Sequence, residues 1–293
     1  MMNNLENIAN SYAFELGNTK DAVIKEILHY DILQSLSQSD IVNDIVFQGG
    51  TSLRLCYGNN RHSEDLDFVV KDKKVDFDEA LFKEFEKIFV STIRGKYNLE
   101  AELSYPKENE DFVKKWTAKV FLPISHRKAK INIEICDVPS YDNKVMNVIN
   151  HYSLKNNDDL IIRVESLEEI LADKILALGC RKYIKYRDIW DIKWLLDKNT
   201  SINLEWINNK ISDYHASNFP MKLAQKLEEL QENKEAHNNG FINEMSRFVK
   251  PVLFEKYKKL DFFAETIDEV LENGENILEL LKEQEYTKYL RKR

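Results

Sequence analysis

Apolar positions along the chain change their period near its middle. Ala22, Val23, Ile27, Leu28, Ile32 and Leu33 recur at helical spacing between residues 20 and 36. The apolar run Ile45-Val46-Phe47 then reads as a strand, after which Gly49-Gly50 turn the chain into Thr51-Ser52-Leu53-Arg54-Leu55, a segment able to start a helix. Leu66 to Val70 is a second predicted strand, and Phe77 to Phe89 returns to a helical pattern. Three β-like runs follow, Leu99 to Leu103, Thr117 to Leu122 and Lys130 to Ile135. From about Ser166 onward nearly every segment is helical, and the polar stretch His237-Asn238-Asn239-Gly240 is expected to be a loop between helices. The predicted class is α+β: a sheet flanked by helices over residues 1–160, followed by an all-helical half over 161–293.

Composition narrows this reading. With 293 residues the chain can bury a full core, and only 8 glycines and 5 prolines argue against a turn-rich all-β fold. No stretch approaches the ~18 consecutive apolar residues of a membrane span. The start, Met1-Met2-Asn3-Asn4-Leu5-Glu6, lacks the basic and apolar regions of a signal peptide, so a cytoplasmic location is expected. Cys56, Cys136 and Cys180 are widely spaced and suggest neither a disulfide framework nor a zinc site. A net charge of −8 speaks against wholesale coating of nucleic acid but leaves local recognition open. The basic clusters at Lys114-Lys115, Arg127 to Lys130, Arg181 to Arg187 and Lys288 to Arg293 read as solvated faces when each is taken alone.

The candidate chemistry sits in Gly49-Gly50-Thr51-Ser52-Leu53 and, downstream, Arg61-His62-Ser63-Glu64-Asp65-Leu66-Asp67-Phe68. On a strand, Asp65 and Asp67 project the same way roughly 7 Å apart while Leu66 and Phe68 face the core. At that distance two like charges repel by about 2 kcal/mol at an effective dielectric of ~20. A divalent cation reverses that cost, and Mg²⁺ commonly binds one or two carboxylates together with substrate phosphates. Glycines let the backbone approach a ligand, and the amides of a helix start favour anions. Glu134 alternates with Ile131, Ile133 and Ile135 and supplies a third carboxylate, with Asp137 as the substitute if the register slips. Either could ligate metal or accept a proton from an attacking hydroxyl.

Further along, Ser166 and Glu169 form a capping box, and Leu167, Ile170, Leu171, Ile175 and Leu178 form a buried stripe. On that pattern alone Lys174 is a surface lysine. Asp188 and Asp191 both suit a first helical turn, and Asp191 is expected to bond Arg181 or Arg187. Trp116, Trp190, Trp194 and Trp206 could stack a base, but core packing is the better reading. His62 could touch phosphate, although carboxylates and metal suffice without it.

The segment from Phe47 to Phe68 resembles the first motif of the nucleotidyltransferase-fold superfamily, and within it the AbiEii family of toxins from type IV toxin-antitoxin and abortive-infection systems. The wider superfamily places Gly-Ser about ten residues before Asp-x-Asp. This chain has Gly-Gly-Thr, a longer gap from Gly50 to Asp65, and Arg61 and Ser63 ahead of the carboxylates. Glu168 to Leu178 matches the family's Glu-x-x-x-Ala-x-Lys-x-x-Ala-Leu helix, and Arg187-Asp188-Ile189-Trp190-Asp191 resembles its Arg-Asp-x-x-Asp helix. The resemblance spans roughly Phe47 to Leu196.

That likeness implies a nucleotidyltransferase-fold mixed sheet, with the helical domain completing an active-site cleft. It implies Asp65, Asp67 and Glu134 as ligands of Mg²⁺ or Mn²⁺, Asp188 as a further active-site carboxylate, and Lys174 on the triphosphate. Gly49, Gly50, Thr51, Ser52, Arg61 and Ser63 would form the phosphate-binding loop, and Arg187 would pair with a phosphate or with the surroundings of Asp188. The implied activity is transfer of a nucleoside monophosphate from an NTP, GTP or CTP, to an acceptor such as tRNA or another RNA, inhibiting growth or phage propagation. A cognate antitoxin is the implied protein partner, and no membrane is involved. Transfer to a small molecule or to a protein remains an alternative, as does a non-catalytic nucleotide-binding module. A sugar transferase would leave the Gly-Gly-Thr-Ser-Leu element and the Lys174 helix unexplained.

Overall fold

The computed structural model describes residues 5–17, 19–72, 79–107, 112–152, 154 and 159–291. They divide into two compact units, 1–166 and 167–293. The first unit runs α1 (Leu5–Leu16), α2 (Lys20–Ser37), β1 (Ile45–Gln48), α3 (Gly49–Tyr57), β2 (Leu66–Val70), α4 (Glu79–Tyr97), β3 (Ala101–Ser104), β4 (Val113–Leu122), β5 (Arg127–Pro139), β6 (Asn143–Asn147) and β7 (Ile161–Glu165). The strands form one mixed sheet in the order β3-β4-β5-β2-β1-β7-β6. β2 runs parallel to β5 and β1 parallel to β7, whereas the other neighbours are antiparallel.

Period-two alternation decides which side of the sheet is dry. Leu66 and Phe68 on β2 and Ile131, Ile133 and Ile135 on β5 are buried in one core with α2 and α4. Phe47 and Phe68 pack with ring centroids 5.1 Å apart, and Phe82 of α4 stacks on Trp116 of β4 at 3.6 Å. Each such fully buried ring or branched side chain contributes about 1.5–3 kcal/mol. The opposite face of β2 and β5 carries the polar Asp67, Asn132 and Glu134, followed by the buried pair Val69 and Cys136.

Helix α2 is capped by Thr19, whose side chain accepts from the Ala22 amide at 3.3 Å, and it is buried on almost every side. Glu26, His29 and Asp31 are therefore carried into the interior along with its apolar residues. Asp31 is satisfied there by Lys96 at 2.7 Å and by the Tyr97 hydroxyl at 2.9 Å.

The strand at Leu66–Val70 and the helix after Gly-Gly form as their patterns predict, although α3 begins at Gly49, two residues before Thr51. Residues 77 and 78 of the expected Phe77–Phe89 helix lie outside the described residues, as do Lys292 and Arg293 of the terminal basic cluster. β6 and β7 were not legible. β6 is a polar edge strand with Val145 exposed, and β7, interrupted by Arg163, carries the first unit through to residue 166.

The second unit is helical: α5 (Leu167–Cys180), α6 (Tyr186–Asp197), α7 (Leu204–Asp213), α8 (Phe219–Glu232), α9 (Lys234–Met245), α10 (Pro251–Lys259) and α11 (Phe262–Arg291). The expected loop at His237–Gly240 is instead the middle of α9. Tertiary packing outweighs the weak local propensity of Asn and Gly here. The Tyr186 hydroxyl bonds His237 Nδ1 at 2.9 Å, its ring lies against Gly240, and it stacks on the buried Phe241 at 5.7 Å. Among the described residues no helix is long and apolar enough to cross a membrane.

Candidate active site

Register across the first unit's sheet builds two polar rows on the face opposite the core. Asp67 lies beside Glu134, and Glu134 beside Lys115. In the neighbouring row Thr117 lies beside Asn132, and Asn132 Nδ2 donates to Asp65 Oδ1 at 2.9 Å. The Thr117 hydroxyl donates to Asn132 Oδ1 at 3.1 Å, which fixes the amide so that its NH₂ points at Asp65. Asp67 and Glu134 are neighbours across the sheet, whereas Asp65 precedes β2 and is held at this face by Asn132 instead of by strand alternation, and Asp137 is exposed beyond them. Burial raises the Asp65 carboxyl above its ordinary range and the charge of Glu134 raises it further, against the lowering hydrogen bond from Asn132.

The glycines stand where side chains cannot. Gly49 has φ +80°, and a Cβ there would come 2.7 Å from Asp67 Oδ2. A Cβ on Gly50 would overlap the Arg61 guanidinium. The two glycines therefore let the start of α3 press against the second carboxylate and the loop that precedes it. Ser52 Oγ donates to the Gly49 carbonyl at 2.8 Å, and the Thr51 hydroxyl donates to the Asp65 carbonyl. Both hydroxyls are buried and hold the turn and the start of β2 in place. Arg61 is likewise buried, donating to the His62 carbonyl at 3.0 Å, while Ser63 is partly exposed.

A buried ion set ties that loop to α2 and α3. Glu26 Oε2 takes Arg54 Nε at 2.6 Å and His62 Nδ1 at 2.6 Å, and Arg54 also donates to the Asn59 carbonyl at 3.2 Å. Burial alone would raise the Glu26 carboxyl, but Arg54 and His62 together bring it well below the usual carboxylate range. His62, expected as a possible phosphate contact, is thereby an internal brace and is only 5% exposed.

His29 Nε2 donates to the Glu64 carbonyl at 3.1 Å, and the Glu64 side chain pairs with Lys25 at 2.7 Å. Burial pushes the His29 imidazole down to about 4. The unfolded chain protonates this group near 6.5, so between the two values it binds more protons than the folded chain and stability falls as pH falls. The difference is on the order of 3 kcal/mol. His29→Gln, which can keep an N–H donor, is expected to flatten the decline in urea midpoint between pH 6.5 and pH 4 relative to the wild type. Parallel slopes for the two proteins would refute it.

In the helical unit several charged groups are internal, among them Lys174, which its sequence pattern alone assigned to the surface. Lys174 Nζ lies 2.9 Å from Asp188 Oδ1 and 2.9 Å from Asp191 Oδ2, and Arg181 Nε lies 3.2 Å from Asp188 Oδ2. Lys174 is 9% exposed, so its reading as a surface lysine is corrected: α6 packs on α5 and supplies two carboxylates to the ammonium. Asp191 pairs with Lys174, where Arg181 or Arg187 was expected. Lys210 of α7, wholly buried, pairs with Glu169 at 2.7 Å and Asp173 at 3.1 Å. Arg187 pairs with Glu244 at 3.1 Å and lies over the Phe248 ring at 4.7 Å. Trp190 is core, 5.3 Å from Tyr257 and 5.4 Å from Phe262 between centroids.

A family model described as "Nucleotidyl transferase AbiEii toxin, Type IV TA system" matches residues 31–273. The chain belongs to this family. AbiEii proteins are nucleotidyltransferase toxins of type IV toxin-antitoxin systems, so the family places this chain among transferases that have a cognate antitoxin. Two solved structures from Helicobacter pylori resemble it. One, described as a candidate nucleotidyltransferase, is 19% identical with a TM-score of 0.51, covering 90% of this chain and 98% of its own. The other, JHP933, is 17% identical with a TM-score of 0.49, covering 94% of this chain and all of its own. The first supports the α+β fold. No curated protein matches the chain in sequence.

The AbiEii carboxylate face is also the place to ask whether a divalent cation fits. Among the described residues no three His, Cys, Asp or Glu side chains converge into a ready cage. Mg²⁺ needs no such cage, because it usually keeps several waters and arrives with substrate phosphates. Asp67 on β2 with Glu134 beside it on β5, and Asp65 just before β2, its carboxyl raised by burial and then by the Glu134 charge, form an oxygen donor set of the right charge. The residues fit the ion as a partial shell. Lys115, Asn132 and Thr117 were absent from the sequence reading as site residues, though Lys115 and Thr117 alternate along β4 as Asn132 and Glu134 do along β5.

Proposed function

We propose that this AbiEii protein transfers a nucleoside monophosphate from an NTP to an acceptor hydroxyl, with RNA, and tRNA in particular, as the acceptor. The supporting observation is the parallel register that sets Asp67 beside Glu134 while Asp65 is held by Asn132. Asp65, Asp67 and Glu134 would hold Mg²⁺ or Mn²⁺, which supplies charge neutralisation and activation of the attacking hydroxyl when bound. The chain's own part is positional. The start of α3 offers its Gly50 and Thr51 amides to phosphate, Ser63 adds a hydroxyl, and Thr51, Ser52 and Arg61 keep that turn in shape. A Glu134 carboxylate oxygen is the acceptor for the proton of the attacking hydroxyl.

Lys174, paired with Asp188, is proposed to offset charge on the triphosphate, with Arg187 of the matched helix, which pairs with Glu244, as a second phosphate cation. Because its ammonium also holds two nearly buried carboxylates, Lys174→Ala is expected to weaken nucleotide binding and to destabilise the helical unit by about 3–5 kcal/mol. Calorimetric titration with each nucleotide and thermal unfolding check the two parts separately. Unchanged nucleotide affinity would count against the assignment.

The reaction itself is tested by incubating the protein and Mg²⁺ or Mn²⁺ with α-labelled GTP, CTP, ATP and UTP, together with RNA, small alcohols or cell protein. Label on RNA, with GTP or CTP preferred, is the expected result. Label on another class would move the acceptor assignment. No transfer to any class would overturn the enzyme reading, and growth arrest surviving Asp65→Ala with Asp67→Ala would favour a binding module.

A further inference from the structure

The row that carries Asp67 and Glu134 ends on a cation. Lys115 Nζ lies 2.8 Å from Glu134 Oε1, from the adjacent position on β4. Its side chain is 42% exposed and that of Glu134 is 33% exposed, so both remain within reach of a ligand. The next lysine on the same face of β4, Lys119, is directed elsewhere, to Ser104 at 2.5 Å and Glu102 at 3.3 Å. Lys115 is thus the β4 lysine seated on the acidic row. As a half-exposed ion pair with Glu134 it would be worth at most about 1 kcal/mol, which is a weak reason for a sheet to carry it.

Its position gives it a use. A lysine ammonium is a compact point charge on a flexible stem, with three donors that suit the non-bridging oxygens of a phosphate chain. The same Glu134 oxygen that takes the ammonium is a candidate ligand for a divalent cation. Both cannot hold it with full effect. We propose that Lys115 is a nucleotide-binding residue working by exchange: it neutralises Glu134 before substrate arrives, cedes that carboxylate to the metal, and turns its ammonium onto the triphosphate. This inference rests on the nucleotidyltransferase reading of the face.

The exchange has a signature that a plain surface ion pair lacks, because two ligands respond with opposite sign. Without the lysine, Glu134 is free for a cation, so Lys115→Ala and Lys115→Gln should each bind Mn²⁺ alone several-fold more tightly. The same variants should bind a triphosphate with Mg²⁺ at least about ten-fold more weakly, and the loss should shrink from triphosphate to monophosphate. Lys115→Arg should recover part of the triphosphate affinity. Lys119→Ala, which removes an equal charge from the same strand face, should change either affinity less than two-fold. The measurements are Mn²⁺ binding by electron paramagnetic resonance and calorimetric titration with each ribonucleoside triphosphate and monophosphate, on the full chain, with circular dichroism to verify the fold. Asp67→Ala runs alongside. If Asp67→Ala removes metal binding while the Lys115 variants match the wild type, or if Lys119→Ala does what Lys115→Ala does, the exchange is overturned and the site reading stands. If Asp67→Ala leaves both affinities untouched, the site reading fails and the exchange fails with it.

Discussion

Asp67→Ala is expected to reduce nucleotide transfer by about 10³-fold or more, comparable to deleting a principal transition-state charge stabiliser, while the chain stays folded. The two halves of that expectation have separate physical causes. Activity is expected to depend on Asp67 because it lies beside Glu134 across the β2–β5 pairing, where a cation would be held between neighbouring strands. The fold does not depend on its carboxylate in the same way, because Leu66 and Phe68 on either side fill the core and continue to do so when residue 67 is truncated. Gly49, lacking a Cβ, leaves room beside the Asp67 side chain, so truncation at 67 creates no clash. The thermal midpoint should stay within a few degrees of the wild type. Asp67→Asn keeps the shape and removes the charge, and should lose transfer to a similar extent. Labelled-nucleotide transfer, metal binding and circular dichroism on both variants check this together. Retention of more than a tenth of the wild-type transfer rate would exclude Asp67 from the metal shell.

How far this site could be foreseen depends on how local its determinants are. The acidic pair, the glycine turn and the alternation at Ile131–Ile135 are period-two and turn signals contained in a few residues each, and the sheet reproduces them as rows on one face. Which strands are neighbours is a long-range matter, so Lys115 could not be linked to Glu134 nor Thr117 to Asn132 until β4 and β5 were seen to pair. The same limit hid the brace behind the loop. Glu26 is one acidic position in an apolar helix, and nothing near it in sequence announces that Arg54 and His62 will meet it. In the helical half, the apolar stripe of α5 was legible, but Lys174, Glu169 and Asp173 became internal only because α6 and α7 bring opposite charges to them. Edge strands and the polar middle of α9 were missed for a related reason: packing against Tyr186, Phe241 and the sheet edge outweighs their weak local preferences.

Glu26→Ala is expected to be the most damaging substitution for the stability of the first unit. Glu26 is 1% exposed, and its one oxygen Oε2 is shared by Arg54 Nε and His62 Nδ1, each at 2.6 Å. Removing one partner of a buried pair leaves the other charge without compensation in a poor solvent, at a cost of about 3–5 kcal/mol. For a chain of this size that corresponds to a fall in thermal midpoint on the order of 10 °C. Glu26→Gln should lose most of the same stability, since the amide keeps the shape but not the charge opposite Arg54. Glu26→Met with Arg54→Met removes both charges and should recover a substantial part of it, which separates an electrostatic cause from a packing one. The pH dependence has a definite sign. The carboxyl is held well below its unfolded value of 4.5, so its contribution is present above that pH and is lost progressively as the solution is acidified below it. The wild type and Glu26→Ala should therefore converge in stability toward strongly acidic pH and stand furthest apart near neutrality. Because His62, Ser63 and Glu64 lead directly into Asp65, the loosened loop should also cost nucleotide affinity even in the fraction that remains folded. Denaturant midpoints for the single and double variants across the acid range measure the first effect, and calorimetric titration well below the midpoint temperature measures the second. A Glu26→Ala midpoint within a degree or two of the wild type would remove the brace from the account of the site.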